Sequence, residues 1–217
     1  MTLGRLTALQ ARVLELLAGF DPPWTLVGGG ALVGFHTHHR ETRDLDLFFR
    51  PLRGLGRLVD DVRRRLEHAG LEIAVLRSAP AFCRLDVRDG ADSVLVDLVA
   101  DPTPIAESPS PTSVGDVTIL VETAHQLLVN KLCALLSRAD LVDVRALLQA
   151  GQDLRRALAD CPGQDAGFSP LTFAWAVRGL PIAKLGRVLG WPDGELDALV
   201  TFRDDLVDRV VADARPA

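Results

Sequence analysis

The chain has 217 residues, 48% of them hydrophobic and 24% charged, with a formal net charge of −5. A globular chain of that size and composition can bury its own core without disulfides or a structural metal. The sign of the charge excludes a generic nucleic-acid binder, and the lack of a run of roughly 18 uncharged apolar residues argues against a membrane span.

In chain order, residues 3–19 carry Leu3, Leu6, Leu9, Val13, Leu16 and Leu17 at helical spacing. That predicts a helix of the fold and not a signal peptide. Gly19 and Asp21–Pro22–Pro23 end it. A short strand over Trp24–Val27 runs into Gly28–Gly29–Gly30, after which a helical pattern resumes over residues 31–38. Asp44–Phe49 alternates polar and apolar, as a half-buried strand does. Leu55–His68 reads as an amphipathic helix closed by Gly70. Strands are expected at Leu71–Leu76, Phe82–Val87 and Val94–Val99, with Asp89–Gly90 as the hairpin signal between the last two. Residues 101–115, rich in Pro and Ser, are expected as loop. Val117–Val121 is a short strand, and Thr123–Ser137 and Leu141–Gln149 are helices. From Asp153 onward the pattern is helix and turn: a helix after Phe168–Ser169–Pro170 with Ser169 as its cap, then Pro181–Gly190 and Gly194–Ala212. The expected architecture is α+β, a β-rich module over residues 1–121 followed by a helical domain over 122–217.

Residues 1–100 hold 13 basic and 13 acidic side chains, and residues 101–217 hold 11 and 16. Any contact with RNA must therefore use a local patch, such as His38–Arg40–Arg43 or Arg63–Arg64–Arg65, the latter also explicable as a solvated helix face. Cys83, Cys133 and Cys161 are odd in number and match no metal framework, so they are expected as reduced thiols of a cytoplasmic protein. His36, His38 and His39 fall on different helix faces with no Cys or Asp at ligand spacing, which speaks against a zinc site.

The chemistry concentrates in residues 27–49, VGGGALVGFHTHHRETRDLDLFF. Residues i and i+2 of a strand share a face, so Asp44 and Asp46 present two carboxylates side by side. Such a pair is relieved by a divalent cation, and hard oxygen ligands with room for water and phosphate suit Mg²⁺. Gly28, Gly29 and Gly30 let backbone N–H groups approach phosphate at the start of a helix. A phosphate cradle beside two metal-binding carboxylates is the equipment of nucleotidyl transfer from a nucleoside triphosphate. A third carboxylate completes such a site. Asp97, in the apolar strand Val94–Val99, is the first choice and a candidate general base; Asp86 on the neighbouring strand is the competitor.

These residues resemble the nucleotidyltransferase superfamily, and more closely its AbiEii/AbiGii toxin branch. The resemblance runs through Gly28–Leu32, His39–Arg40 and Thr42–Phe48, then through Lys131–Leu135, Arg138, Asp140 and Asp143, covering residues 24 to about 150. It departs at Gly30, where the family carries a hydroxyl residue, and in a short spacing between Arg138 and Asp140. The resemblance implies a nucleotidyltransferase-type mixed sheet flanked by helices, with a helical C-terminal region contributing to the nucleotide site. It also implies that Lys131 contacts the triphosphate. Independently, Lys131 lies in the apolar run Leu127–Leu136, where a buried Lys needs an anion, and Lys is rare here, two of 24 basic residues. Asp140 and Asp143 share a helix face and would position Lys131, bind nucleotide, or pair with Arg138 and Arg145. Arg40 and Thr42 flank the aspartates; Arg40 would neutralise phosphate or hold Asp44 or Asp46.

By this resemblance the chain would be a Mg²⁺-dependent toxin that moves a nucleotide to RNA, such as the acceptor end of tRNA, with a separately encoded antitoxin. Two alternatives stay open. One is a transferase with a small-molecule acceptor, as in antibiotic nucleotidyltransferases, for which the C-terminal excess of acid would suit a cationic substrate. The other is a non-catalytic nucleotide binder of the same fold.

Overall fold

The structure, a computed structural model, describes residues 6–134, 138–182, 184 and 192–214. The chain divides into two compact units, residues 1–127 and 128–217.

The first unit begins with α1 (Ala8–Leu17). Its start is a reciprocal cap: Gln10 N–H donates to Thr7 Oγ1, and Thr7 N–H donates to Gln10 Oε1. Next come β1 (Thr25–Val27), the short helix α2 (Gly28–Ala31) continuing as a wide π turn over Leu32–His36, and β2 (Asp44–Phe49). α3 (Leu58–His68) follows, then a meander of β3 (Glu72–Ala79), β4 (Phe82–Asp89) and β5 (Asp92–Ala100), and a hairpin of β6 (Ser110–Val114) and β7 (Val117–Val121). The strands form one mixed sheet in the order β3-β4-β5-β2-β1-β7-β6. The pairs β2/β5 and β1/β7 are parallel, and the others antiparallel.

Strand alternation sorts the two faces. Leu45, Leu47 and Phe49 on β2, Cys83, Leu85 and Val87 on β4, and Val94, Val96 and Leu98 on β5 are buried. They form the core with Leu14 and Leu17 of α1 and Val62 and Leu66 of α3. The opposite face of the same strands carries the polar residues. A partly buried ion cluster ties strand ends together: Arg50, after β2, reaches Asp101 at 3.0 Å and the buried Glu122 at 3.1 Å, beyond β5 and β7.

Two expectations change. The helical pattern expected from residue 31 begins earlier, and the glycine triplet is itself the first turn of the helix, with Gly28 taking the positive φ (59°) that bends the chain out of β1. Residues 110–114, expected as loop, form β6. It is an edge strand, where Pro111 can pair through its carbonyl side alone.

The chain passes to the second unit within α4 (Ala124–Cys133). That unit contains α5 (Arg138–Gln149), α6 (Leu154–Gln164), α7 (Pro170–Arg178) and α8 (Asp193–Asp213). Asp153 caps α6 by accepting from Arg155 and Arg156 N–H, and Ser169 caps α7. Most of the helix expected over Pro181–Gly190, and the expected end of α4 at Ser137, lie outside the described residues. Cys83 and Cys161 are buried and Cys133 is partly so, all three free thiols. No described helix is long and apolar enough to cross a membrane.

Candidate active site

The site grows from β2. Its alternation sends Leu45 and Leu47 into the core and leaves Asp44 and Asp46 on the polar face. Register then builds a row across the sheet. Val27 of β1 lies beside Asp46, Asp46 beside Asp97 of β5, and Asp97 beside Arg84 of β4. Asp86 is one strand farther out, opposite Leu95, and is held by Arg88 at 2.7 Å. Of the two candidate third carboxylates, Asp97 is thus the one that neighbours the pair.

The glycine turn closes on the same carboxylates. A Cβ on Gly28 would overlap Asp46 Oδ2, so the carboxylate rests against bare backbone. A Cβ on Gly29 would point to Thr42 Oγ1 at 2.7 Å and to the Arg40 guanidinium at 3.3 Å. Thr42 Oγ1 in turn donates to Asp44 Oδ1 at 2.7 Å. Gly28, Gly29, Arg40, Thr42, Asp44 and Asp46 therefore converge. Gly30 does not. Its missing side chain faces the methyls of Leu26 and Leu45, each 3.1 Å from a Cβ placed there. A hydroxyl residue at that position would meet the core, so the departure from the family pattern removes no side-chain contact with phosphate.

Two further residues shape the site and escape a reading by motif. Gln10, buried in α1, donates to the carbonyl of Thr42 at 3.0 Å and pins the segment that enters β2. Arg84 grips Asp97 with a fork, Nε to Oδ1 at 2.7 Å and Nη2 to Oδ2 at 2.6 Å. The Asp97 hydrogen bonds hold the Arg84 guanidinium above its ordinary range against the opposing effect of desolvation, and the charges of Asp97, Asp44 and Asp46 add to it. Gln10 has no sequence signal beyond its place in a capping box. Arg84 has one, since a hairpin turning at Asp89–Gly90 sets it opposite Asp97.

The histidine rings bond the protein's own backbone and side chains. His36 Nε2 donates to the Glu122 carbonyl at 2.8 Å, His38 Nδ1 donates to that of Val33 at 2.7 Å, and His39 Nδ1 bonds Thr37 Oγ1 at 2.7 Å. Arg63 pairs with Asp60 and Glu67, and Arg64 with Asp61, along the face of α3. Arg65 donates to the Ala18 carbonyl and stacks on Phe20. Among the described residues no group of three or more His, Cys, Asp or Glu side chains is arranged to hold a metal ion. Both Asp97 oxygens face Arg84, and the Asp44–Asp46 pair beside it offers further hard oxygen donors. Their chemistry fits a hard divalent cation with phosphate and water completing its shell.

In the second unit Lys131 of α4 and Asp140 and Asp143 of α5 form a cluster. Lys131 Nζ lies 2.8 Å from Asp140 and 2.9 Å from Asp143, whose side chain is fully buried. The anion demanded by a Lys in an apolar helix is thus a pair of carboxylates. Burial presses the Lys131 pKa down, but Asp143 and Asp140 together hold it above its ordinary value.

A sequence model described as the nucleotidyl transferase AbiEii toxin of type IV toxin–antitoxin systems matches residues 12–168. The chain belongs to the AbiEii family. No curated protein sequence matches it. Among solved structures, this AbiEii-family chain is similar to MenT4, a nucleotidyltransferase toxin from Mycobacterium tuberculosis, with a TM-score of 0.61, 19% identity and coverage of 92% of this chain and 82% of that one. It is also similar to JHP933 from Helicobacter pylori, with a TM-score of 0.55, 16% identity and coverage of 94% and 90%. At that identity the two likenesses bear on the fold alone, the mixed sheet flanked by helices described above. The family makes the AbiEii chain a transferase, with nucleotidyl transfer as its reaction class.

Proposed function

We propose that this AbiEii-family chain moves a nucleoside monophosphate from a nucleoside triphosphate to a hydroxyl of RNA, with tRNA the first candidate acceptor. It acts in the cytoplasm as the toxin of a toxin–antitoxin pair. The observation that carries the reading is the convergence of Asp44 and Asp46 with Thr42, Arg40 and the Gly28–Gly29 turn.

In this reading Asp44 and Asp46 hold Mg²⁺, which would supply charge neutralisation at the attacking and leaving oxygens. Thr42 fixes the rotamer of Asp44. Gly28 keeps Asp46 against the backbone, and the backbone N–H groups of Gly28, Gly29 and Gly30 at the start of α2 are the proposed donors to phosphate oxygens. Arg40 offers a planar fork of donors to the triphosphate. The acceptor hydroxyl attacks the α-phosphorus, a new O–P bond forms, and the bond to pyrophosphate breaks. Asp97 neighbours the pair and is the proposed base for the hydroxyl proton. Lys131, positioned by Asp140 and Asp143, is assigned to the triphosphate on the family pattern, with residues 122–217 as the helical domain. A chain of net charge −5 engages RNA through a local patch, for which His38, Arg40 and Arg43 are the candidates.

The test is incubation of the purified protein with Mg²⁺, each α-labelled nucleoside triphosphate in turn, and total tRNA, beside an Asp44→Asn/Asp46→Asn control. Label on RNA with one triphosphate, absent from the control, is the expected result and names the nucleotide. Triphosphate binding without label on RNA would redirect the reading to a small-molecule acceptor or a binding role.

A further inference from the structure

The row Asp46–Asp97–Arg84 contains a cation of its own. Asp97 is 7% exposed and both its oxygens are engaged by one guanidinium, whereas the Arg84 side chain is 37% exposed. The carboxylate is fixed, and the cation is the partner that can leave. Arg84 also feels the charges of Asp44 and Asp46, so it acts as counter-ion to the whole row. A divalent cation at Asp44 and Asp46 would meet that guanidinium as a like charge and would find Asp97 already taken.

We propose that Arg84 is a positioning residue that sets the affinity of the site for divalent cations, by withholding Asp97 from the metal and by partly neutralising the Asp44–Asp46 pair. This deepens the proposed metal site and rests on it. Arg84 acts through Asp97 and is not assigned a contact with substrate. In wild type the cation is held by two protein carboxylates. Without the fork, Asp97 is released beside Asp46 as a third.

The experiment is Mn²⁺ binding without nucleotide, followed by the water-proton relaxation of the bound ion, for wild type, Arg84→Gln, Arg84→Lys, Arg84→Gln/Asp97→Asn and Asp44→Asn/Asp46→Asn. Arg84→Gln is expected to bind at least about tenfold more tightly than wild type, since it removes a like charge and adds a carboxylate ligand. The added Asp97→Asn change should cancel most of that gain. Arg84→Lys, which keeps the charge but not the fork, should fall between, and it carries the test if Arg84→Gln does not fold. A merely structural role for Arg84 would lower stability without tightening Mn²⁺ binding. Equal or weaker affinity in Arg84→Gln and Arg84→Lys, with wild-type binding present and lost in Asp44→Asn/Asp46→Asn, would overturn the proposal and leave the metal site standing. No Mn²⁺ binding in any variant would overturn the metal site itself and the proposal with it.

Discussion

Asp46 and Gly28 share one space: the carboxylate of Asp46 lies where a side chain on Gly28 would begin. The register that pairs Val27 with Asp46 brings them together, and the positive φ of Gly28 exposes its bare Cα to the carboxylate. Gly28→Ala is expected to cost about 1–2 kcal/mol for the left-handed backbone alone. It should also push Asp46 aside, and a misplaced ligand costs on the order of 100-fold in rate. Thermal unfolding and the RNA-labelling rate measure the two effects. Wild-type labelling by Gly28→Ala would remove Asp46 from the chemistry.

Thr42 has one task that a valine cannot perform, donating to Asp44 Oδ1. Thr42→Val keeps the shape and loses the bond, for about 1 kcal/mol of stability. Labelling should fall about tenfold, chiefly in kcat, because the ligand loses its orientation and not its charge. Thr42→Ser should recover most of the rate. If serine and valine behave alike, the hydroxyl is irrelevant to Asp44.

Lys131 and Asp143 form a largely buried ion pair. Lys131→Met removes the ammonium that lies 2.9 Å from the fully buried Asp143 and should destabilise the fold, by up to about 3–5 kcal/mol. Lys131→Met/Asp143→Leu should recover much of the loss, as seen in urea midpoints. The pH dependence has a definite sign. The folded pKa of Lys131 lies above its ordinary value of 10.5, so the pair's stabilisation is present below pH 10.5 and is lost as pH rises through the raised value. Alkaline scans should show a steeper decline for wild type than for Lys131→Met.

His36 predicts the acid side. Burial lowers its pKa below 6.5, against the raising effect of its bond to the Glu122 carbonyl, and nearby His38 lowers it further. The ring is held neutral, with Nε2 carrying the proton that the carbonyl accepts. Its contribution is therefore present above pH 6.5 and is lost as pH falls through the lowered folded value. Unfolding midpoints on descent from pH 6.5 should drop more for wild type than for His36→Gln. Parallel curves would mean that His36 titrates alike in both states.

The strands and the acidic pair were legible because alternation is a local property. Asp44–Phe49 and Val117–Val121 end where the periodicity ends. Asp97 stood out as a charge within an apolar run. β6 was not legible, since Pro and Ser mark a loop unless a partner strand takes up the edge, and β7 lies next in sequence to do so. The onset of α2 is masked by the low helix propensity of glycine, and it is the positive φ of Gly28 with the closeness of Asp46 and Thr42 that explains why no larger residue stands at positions 28 and 29.

Local pattern is enough to say which residues carry charge on the polar face of β2 and that a Lys within an apolar helix needs an anion. Both follow from spacing and from the cost of burying charge. That Asp97 and not Asp86 adjoins the pair, that Gln10 pins Thr42, and that Lys131 meets Asp140 and Asp143 is visible in the folded chain alone. Each of these is a pairing between separate segments. Which two segments meet is settled by the packing of the whole sheet and of the helices, and no local pattern encodes that choice.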